Sequence, residues 1–375
     1  MPTRATRRGS ERQPFQADCD VLICGASFAG LAVARELAGT GASVLVVDRY
    51  EIGERQTSAC AIPTPWLEAM QLMGSQRQSF DELVIHSPRG TGRYRLPWSF
   101  STFDYRELCA LLAAQGRFRF ETAKVDGAAT AGPAAGGTRP ASTVHTDRGD
   151  IRAALVVDAL GWRRVLGSGA PIQPPDAYLS RGLEVHPHGS GDDLEVWIDR
   201  DYVPAGYGWS FPAAGEVRVG VGSFDPRFHV KEPTIRLARN LDREAAGYQG
   251  NWIPHRIQEA TERGIFFAGD SAGHCLPLTA EGIRTALYFG VACGRELADV
   301  ITGRQTRAAA LARYGAFSAA HRWQFEWMLR VQRLIPRVPP RVLGPALTAM
   351  SAKRFVDWSF NHYLGLAHPA GVRLA

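Results

Sequence analysis

Apolar and polar positions follow three regimes along the chain. From Cys19 to Gly25 a short apolar run ends at a glycine, Phe28 to Ala38 carries apolar residues at helical spacing, and Ser43 to Val47 forms a second β-branched run ending at Asp48. The predicted order is strand, helix, strand within about 30 residues, a β-α-β unit that requires a parallel sheet. Gly39 and Gly41 stop the helix. Residues 104–115 read as a helix through Tyr105, Leu108, Leu111 and Leu112, the Ala/Gly/Pro-rich stretch 128–141 as a loop, and residues 151–157 as a further strand. Between Tyr178 and Val221 the period becomes two, as in Leu194, Val196, Ile198 and in Val217, Val219, Val221, which predicts an antiparallel sheet placed after the parallel one. Gly264 to Ala268 is again strand-like and leads through a loop to a long helix from about Glu281 to Ile301. The remainder is helical, interrupted by Pro336, Pro339, Pro340 and Pro345, and no internal repeat is found.

The first glycine motif carries chemistry. Gly25-Ala-Ser27-Phe-Ala-Gly30 sits between strand and helix, where a Gly-x-Gly-x-x-Gly fingerprint belongs, with Ser27 in place of the middle glycine. The first glycine makes the tight turn, the middle position lets backbone approach a pyrophosphate, and the third allows close helix–strand packing. The helix N-terminus offers free N–H groups to phosphate. Asp48, at the end of the second strand, can accept hydrogen bonds from an adenosine ribose. Strand–Gly-x-Ser-x-Ala–helix is also a variant of the nucleophile elbow, but that reading needs a downstream acid and then a histidine. Asp270 and His274 are only four residues apart, and an elbow does not open a fold, so dinucleotide binding is the better reading.

The second segment is Ala268-Gly-Asp-Ser-Ala-Gly-His-Cys-Leu-Pro277-Leu-Thr-Ala-Glu-Gly-Ile283. A strand ending in Gly269-Asp270 can present a carboxylate to the hydroxyls of a ribityl chain. Gly282 and Ile283 open a long helix whose N-terminal N–H groups can stabilise negative charge on a reduced flavin ring. This segment resembles the second FAD motif of the p-hydroxybenzoate hydroxylase-like flavoprotein superfamily. Gly25, Ser27 and Gly30 with Asp48-Arg49 resemble its first, and Phe103-Asp-Tyr-Arg106 resembles the motif whose arginine contacts the FAD pyrophosphate. Ala205-Gly-Tyr-Gly-Trp-Ser-Phe-Pro212 is similar to the Tyr-x-Trp-x-Phe-Pro signature of the geranylgeranyl reductase family within that superfamily.

The resemblance implies an α/β fold: a Rossmann-like FAD-binding domain with a parallel sheet, an antiparallel-sheet substrate domain and a helical C-terminal segment. The expected division is a flexible basic tail at 1–17, an FAD-binding domain from 18–75, 100–170 and 260–305, a substrate domain from 76–99 and 171–259, and a helical segment at 306–375. It implies FAD contacts at Gly25, Ser27, Gly30, Asp48, Arg49, Arg106, Gly269, Asp270, Pro277, Gly282 and Ile283. Tyr207, Trp209, Phe211 and Pro212 would line a substrate wall, because aromatic side chains at alternating strand positions make a flat apolar surface. Cys60 falls near where some reductases of the family carry a cysteine beside the flavin; it and Tyr207 are the candidate proton donors for reduction of an isolated C=C, and a buried inert thiol is the competing reading of Cys60.

The implied activity is hydride transfer between flavin and C=C bonds of a lipophilic, prenyl-like or natural-product substrate, with NAD(P)H or a ferredoxin-like protein as electron donor. The alternative is an FAD-dependent monooxygenase acting on an aromatic or polyketide-like substrate, and a third reading is a flavin-binding partner without its own turnover. Hydroxylase members carry Ala-Asp-Gly in mid-chain, whereas this chain has Val157-Asp-Ala-Leu160-Gly161-Trp162, with Leu160 at the acid position, so nicotinamide docking in the hydroxylase manner is in doubt. Flavin halogenases need a lysine early in the chain, and none precedes Lys124. His274 and Cys275 lack further ligands, so no metal is expected. His86, His186 and His188 fall in the substrate sheet, and the sequence does not choose among them as acids.

Composition narrows the partners. Of 375 residues 45% are apolar and 21% charged, a globular share. The net charge of +6 is terminal: residues 1–17 carry +3 and residues 303–375 carry +9, leaving −6 for residues 18–302. A uniformly basic nucleic-acid binder is thereby disfavoured. The six cysteines show no paired spacing and read as thiols in a reducing cytoplasm. The N-terminus, with no apolar stretch behind its basic residues, reads as a frayed tail, an Arg-rich transit peptide being the lesser alternative, and no apolar run reaches the roughly 18 residues of a membrane span. The segment from His321 to Ile335 mixes aromatics with arginines at helical spacing. Peripheral membrane contact through it competes with simple packing of Trp and Leu against the flavin domain.

Overall fold

The fold, a computed structural model, describes residues 13–56, 58–129, 142–168 and 179–372. The first twelve residues, Thr57, Tyr178 and most of the 128–141 stretch lie outside it. The chain begins with β1 (Ala17–Cys24), α1 (Phe28–Glu36), β2 (Val44–Asp48), β3 (Ala61–Pro63), α2 (Thr64–Ala69), β4 (Gln76–Ser87), β5 (Gly90–Phe103), α3 (Tyr105–Ala114), β6 (Arg119–Thr122), β7 (Val125–Ala129), β8 (Ser142–Thr146) and β9 (Gly149–Asp158). It continues through β10 (Leu179–Val185), β11 (His188–Gly189), β12 (Leu194–Trp197), β13 (Gly206–Pro212), β14 (Gly215–Ser223), α4 (Lys231–Asn240) and β15 (Gln249–Pro254). It ends with β16 (Thr261–Glu262), β17 (Ile265–Phe267), α5 (Ile283–Ile301), α6 (Arg307–Ala320), α7 (Arg322–Leu334), α8 (Pro340–Met350) and α9 (Lys353–Gly365).

Two sheets result. The first runs β16-β17-β9-β1-β2-β6, parallel from β17 to β6, with β7 and β8 attached antiparallel. The long strand β9 pairs with β8 along its first half and with β17 at its end. Val21, Leu22, Ile23 and Val44 to Val47 are buried, the near-continuous apolar pattern of strands covered on both faces. Helices α1 and α5 pack against each other at glycines. A Cβ at Gly290 would lie 2.7 Å from the Ala29 carbonyl oxygen, and one at Gly294 2.9 Å from that of Val33.

The second sheet runs β15-β10-β14-β13-β12-β4-β5-β3, with β11 on β14. It is antiparallel as expected except where β12 meets β4, which run parallel with Val196 opposite Ile85. The β4–β5 hairpin comes from the early part of the chain, so its direction relative to β12 is not set by a turn between them. One face packs on α4 through Val219, Val221 and Leu237. The other looks toward the parallel sheet and the C-terminal helices, where the Tyr94 hydroxyl donates to the Leu347 carbonyl at 2.6 Å.

Two local expectations are revised. Pro345 does not interrupt the chain's C-terminal helices but lies inside α8, at an exposed position where solvent can replace the missing backbone bond. Residues 13–17, counted with the tail, are tied down: Phe15 N donates to Arg148 O at 2.7 Å, the Arg148 guanidinium donates to Gln13 O, and Ala17 starts β1 opposite Ile151. The β1–α1 turn is sterically committed, since a Cβ on Gly30 would stand 1.9 Å from the Gly25 carbonyl oxygen. Gly30→Ala is therefore expected to cost about 3 kcal/mol, read as a shift of the chemical-denaturation midpoint.

Candidate functional site

The carboxyl ends of β1 and β2 meet at the first glycine turn. Gly25, at φ +112°, would place a Cβ 2.2 Å from the Ala159 carbonyl oxygen, so only glycine fits between β1 and the end of β9. Asp48 shapes the turn with both oxygens: Oδ2 accepts from Ala26 N at 2.8 Å and Oδ1 from Tyr50 N at 3.0 Å. Ser27 does not cap α1 with its side chain, and its hydroxyl pairs with the Tyr105 hydroxyl of α3 at 3.2 Å. The first-turn N–H groups of α1 therefore have no side-chain cap, the condition under which a helix N-terminus takes an anion. Arg106 is exposed at the start of α3, where Gly53 packs against its backbone, and exposed Arg49 lies over the Tyr50 ring at 4.8 Å.

The end of β17 supplies the second half. Gly269, at φ +63°, packs against Ala29 of α1, bringing the two halves together. Asp270 follows, and no described residue donates a hydrogen bond to its carboxylate, while its Oδ1 lies 3.5 Å from where Gly282 would carry a Cβ. Burial pushes the Asp270 carboxyl up to about 7. An enclosed acid without a donor, beside a glycine-opened helix end, fits a polyhydroxyl ligand.

Between Asp270 and α5 the loop Pro277–Gly282 adopts an uncommon backbone, with Leu278 at φ +71° and Ala280 at φ +53°. Other elements hold it there. Leu278 N donates to Oε1 of Gln332 in α7 at 2.7 Å, and the Tyr207 hydroxyl of β13 donates to Thr279 O at 2.6 Å. The Tyr363 hydroxyl of α9 contacts Glu281 and Thr279. Arg284, fully buried, pairs with Glu281 at 2.8 Å and donates to the carbonyls of Tyr363, Leu364 and Ala367.

The substrate-wall residues divide by strand alternation. Tyr207, Trp209 and Phe211 share one face of β13, whereas Pro212 lies on the other and is buried, its carbonyl accepting from Thr102. Trp209 lies across glycines: added Cβ atoms would approach its ring to 2.2 Å at Gly220, 3.4 Å at Gly222 and 3.6 Å at Gly182. Its indole N–H donates to buried Glu184 at 3.2 Å. Burial, reinforced by nearby Cys275 and Glu281, pushes the Tyr207 phenol well up, so it keeps its proton at neutral pH.

Cys60 is buried at φ +51°, and its carbonyl accepts from Phe103 N and from the buried Arg218 guanidinium. Burial outweighs the Arg218 charge and pushes this thiol well up. Cys60 belongs to the apolar cluster that includes Ile62, Trp66 and Leu108, with the charges of Arg218 and Glu184 also acting on it, while Cys275 stands beside Tyr207 and Gly282. His274 stacks on Phe289 at 3.7 Å and bonds Ser318, and no group of metal-ligating side chains occurs among the described residues. His86 pairs with Glu195 and His186 with Glu184.

Sequence reasoning passed over Asp158, Arg218, Arg284, Gln332 and Tyr363. Asp158, fully buried, accepts from Leu160 N, Leu166 N and the Ser271 hydroxyl, joining the β9 loop to the turn after β17. A polar residue ending an apolar strand was its only signal.

Residues 18–97 match the family described as an FAD binding domain. A digeranylgeranylglycerophospholipid reductase from Methanothrix thermoacetophila is 24% identical over 79% of this chain and 82% of its own length. The chain thus carries an FAD-binding domain, and in sequence it is similar to FAD-dependent oxidoreductases of the geranylgeranyl reductase type. A geranylgeranyl bacteriochlorophyll reductase-like protein from Thermoplasma acidophilum superposes with a TM-score of 0.78 at 17% identity, covering 96% of this chain and 98% of that one. The p-nitrophenol 4-monooxygenase of Pseudomonas putida superposes at 0.74 with 14% identity, covering 94% and 99%. These two likenesses are of fold. No helix among the described residues is long and apolar enough to cross a membrane.

Two outcomes follow from the site. Asp270 binds its proton more tightly folded than unfolded, so in flavin-free protein its stabilising contribution is present below about pH 4 and lost as pH rises through about 7. Asp270→Asn removes that slope from a plot of melting temperature against pH. Arg284→Met leaves Glu281 unpaired and is expected to cost about 3–5 kcal/mol, with faster proteolysis within α9.

Proposed function

We propose that this oxidoreductase reduces C=C bonds of a lipophilic, prenyl-like chain laid along Tyr207, Trp209 and Phe211. The observation that carries the reading is the placement of Trp209 flat over Gly182, Gly220 and Gly222 while Tyr207 is bonded to the loop that opens α5. Glycines under an indole leave a smooth apolar wall, and the Tyr207 bond fixes that wall relative to Asp270 and Gly282. The digeranylgeranyl lipid named for the Methanothrix relative supports a polyprenyl chain as the substrate class.

FAD, when bound, supplies the hydride chemistry. The residues that would hold it are the Gly25–Gly30 turn and the open end of α1 for the pyrophosphate, with Arg49 and Arg106 beside them. Asp48 would hold the ribose, Gly269 and Asp270 the ribityl hydroxyls, and Pro277, Gly282 and Ile283 the ring. The N–H groups opening α5 stabilise negative charge in this region. Tyr207 holds a proton at Oη, shared with the Thr279 carbonyl, and Cys60 one at Sγ; in this reading they are the two candidates for the single proton taken up by the carbon next to the one that takes the hydride. Either NAD(P)H or a ferredoxin-like protein serves as reductant in this reading.

Anaerobic turnover of a polyprenyl substrate by pre-reduced enzyme tests it, and a strict requirement for O2 would replace it with the monooxygenase alternative. Tyr207→Phe is expected to lower the single-turnover rate about 10²-fold with flavin still bound. Unchanged rates in both Tyr207→Phe and Trp209→Ala would remove the wall from the reaction.

A further inference from the structure

The outer surface of the C-terminal helices has no assigned purpose. Apart from Met73 and Tyr248, the exposed large apolar side chains among the described residues all fall between Trp323 and Trp358. On α7 they form one stripe: Trp323 is 67% exposed, Trp327 59% and Leu334 57%, and exposed Arg330 falls between them at helical spacing. The opposite face of the same helix is buried through Phe325, Met328, Leu329 and Gln332. α7 therefore already has a packed core face. Its tryptophans are surplus to that packing, which corrects the expectation that they pack across the flavin domain.

Charge identifies the occupant. From Trp327 to Val356 there is no Asp or Glu, while Arg330, Arg333, Arg337, Arg341, Lys353 and Arg354 are all exposed. Lys353 pairs with Asp357, and the five arginines make no ion pair with a described residue. Exposed Val342, Met350, Phe355 and Trp358 extend the apolar character over α8 and α9. A second copy of this chain is a poor occupant, because a two-fold interface would set this cationic face against itself. Tryptophans at the level of the headgroups, apolar side chains below them and arginines paired with phosphates are the way an interfacial helix lies on an anionic bilayer.

We infer that α7, with the adjoining surfaces of α8 and α9, docks this enzyme onto an anionic phospholipid bilayer. The inner face of the docking helix holds the Pro277–Gly282 loop through Gln332, so the bilayer lies one helix away from the loop to which Tyr207 of β13 is bonded. Docking stands on surface composition and charge alone, and does not depend on which substrate is reduced.

The test is co-sedimentation of flavin-loaded full-length protein with vesicles of phosphatidylglycerol and phosphatidylcholine, against phosphatidylcholine alone. Binding to the mixed vesicles is expected at 50 mM salt and lost at 500 mM, since screening shortens the reach of the charges. The double variant Trp323→Ala/Trp327→Ala, and separately Arg330→Glu/Arg333→Glu, should each weaken binding at least about tenfold. Both leave buried residues untouched, and an unchanged flavin spectrum and melting temperature confirm their folding. Failure of wild-type protein to bind mixed vesicles at low salt overturns the proposal, as does undiminished binding by both variants. A concentration-dependent dimer abolished by the tryptophan substitutions also overturns it, by showing that a second copy covers the stripe. Turnover of a short, water-soluble prenyl substrate by both variants reports on the proposed reaction independently.

Discussion

The constraint on which the site depends is the clamping of the Pro277–Gly282 loop. Leu278 and Ala280 occupy the left-handed backbone region without being glycines, a conformation that persists only where surroundings impose it. Three elements far apart in sequence do so: Gln332 of α7, Tyr207 of β13, and Tyr363 of α9 acting with Arg284 and Glu281. Released from them, the loop has no reason to keep Gly282 facing Asp270. The C-terminal helices thus hold the loop of the candidate site in place.

A second set of buried polar contacts joins the sheets to that scaffold. Asp158 connects the end of β9 to Ser271, and Arg218 reaches from β14 to the carbonyls of Ala59 and Cys60. Burying such groups is costly unless their hydrogen bonds are made, and here backbone partners make most of them. The aromatic face of β13 on one sheet is in this way indexed to the glycine turn on the other. The same logic sets Tyr207 apart among the aromatic residues of β13, since its hydroxyl bonds the Pro277–Gly282 loop.

The parallel unit was legible because its signals are local. Gly25 and Gly30 are required by backbone atoms within a few residues or one strand away, and the apolar runs of β1 and β2 state their own burial. The aromatic alternation of β13 was equally plain, although the same alternation turns Pro212 away from Tyr207, Trp209 and Phe211. Cys60 shows the limit of position in sequence: its spacing suggested a place beside the ring, but its membership of the apolar cluster of Ile62, Trp66 and Leu108 left no trace there. Arg284 and Tyr363 carried no signal, because their partners are 79 residues apart and an arginine inside a helix reads as solvent-facing.

The sequence by itself determined the strand–helix–strand cofactor turn, the order of the motifs and the separation of an acidic body from basic ends, since each depends on short-range sterics or on simple charge. Only the tertiary structure decided which face of α7 is buried, that Pro345 continues a helix, that β12 runs parallel to β4, and that Asp270 stands without a donor among the described residues. Those outcomes rest on packing and desolvation between distant segments, and neither leaves a periodic trace in the chain.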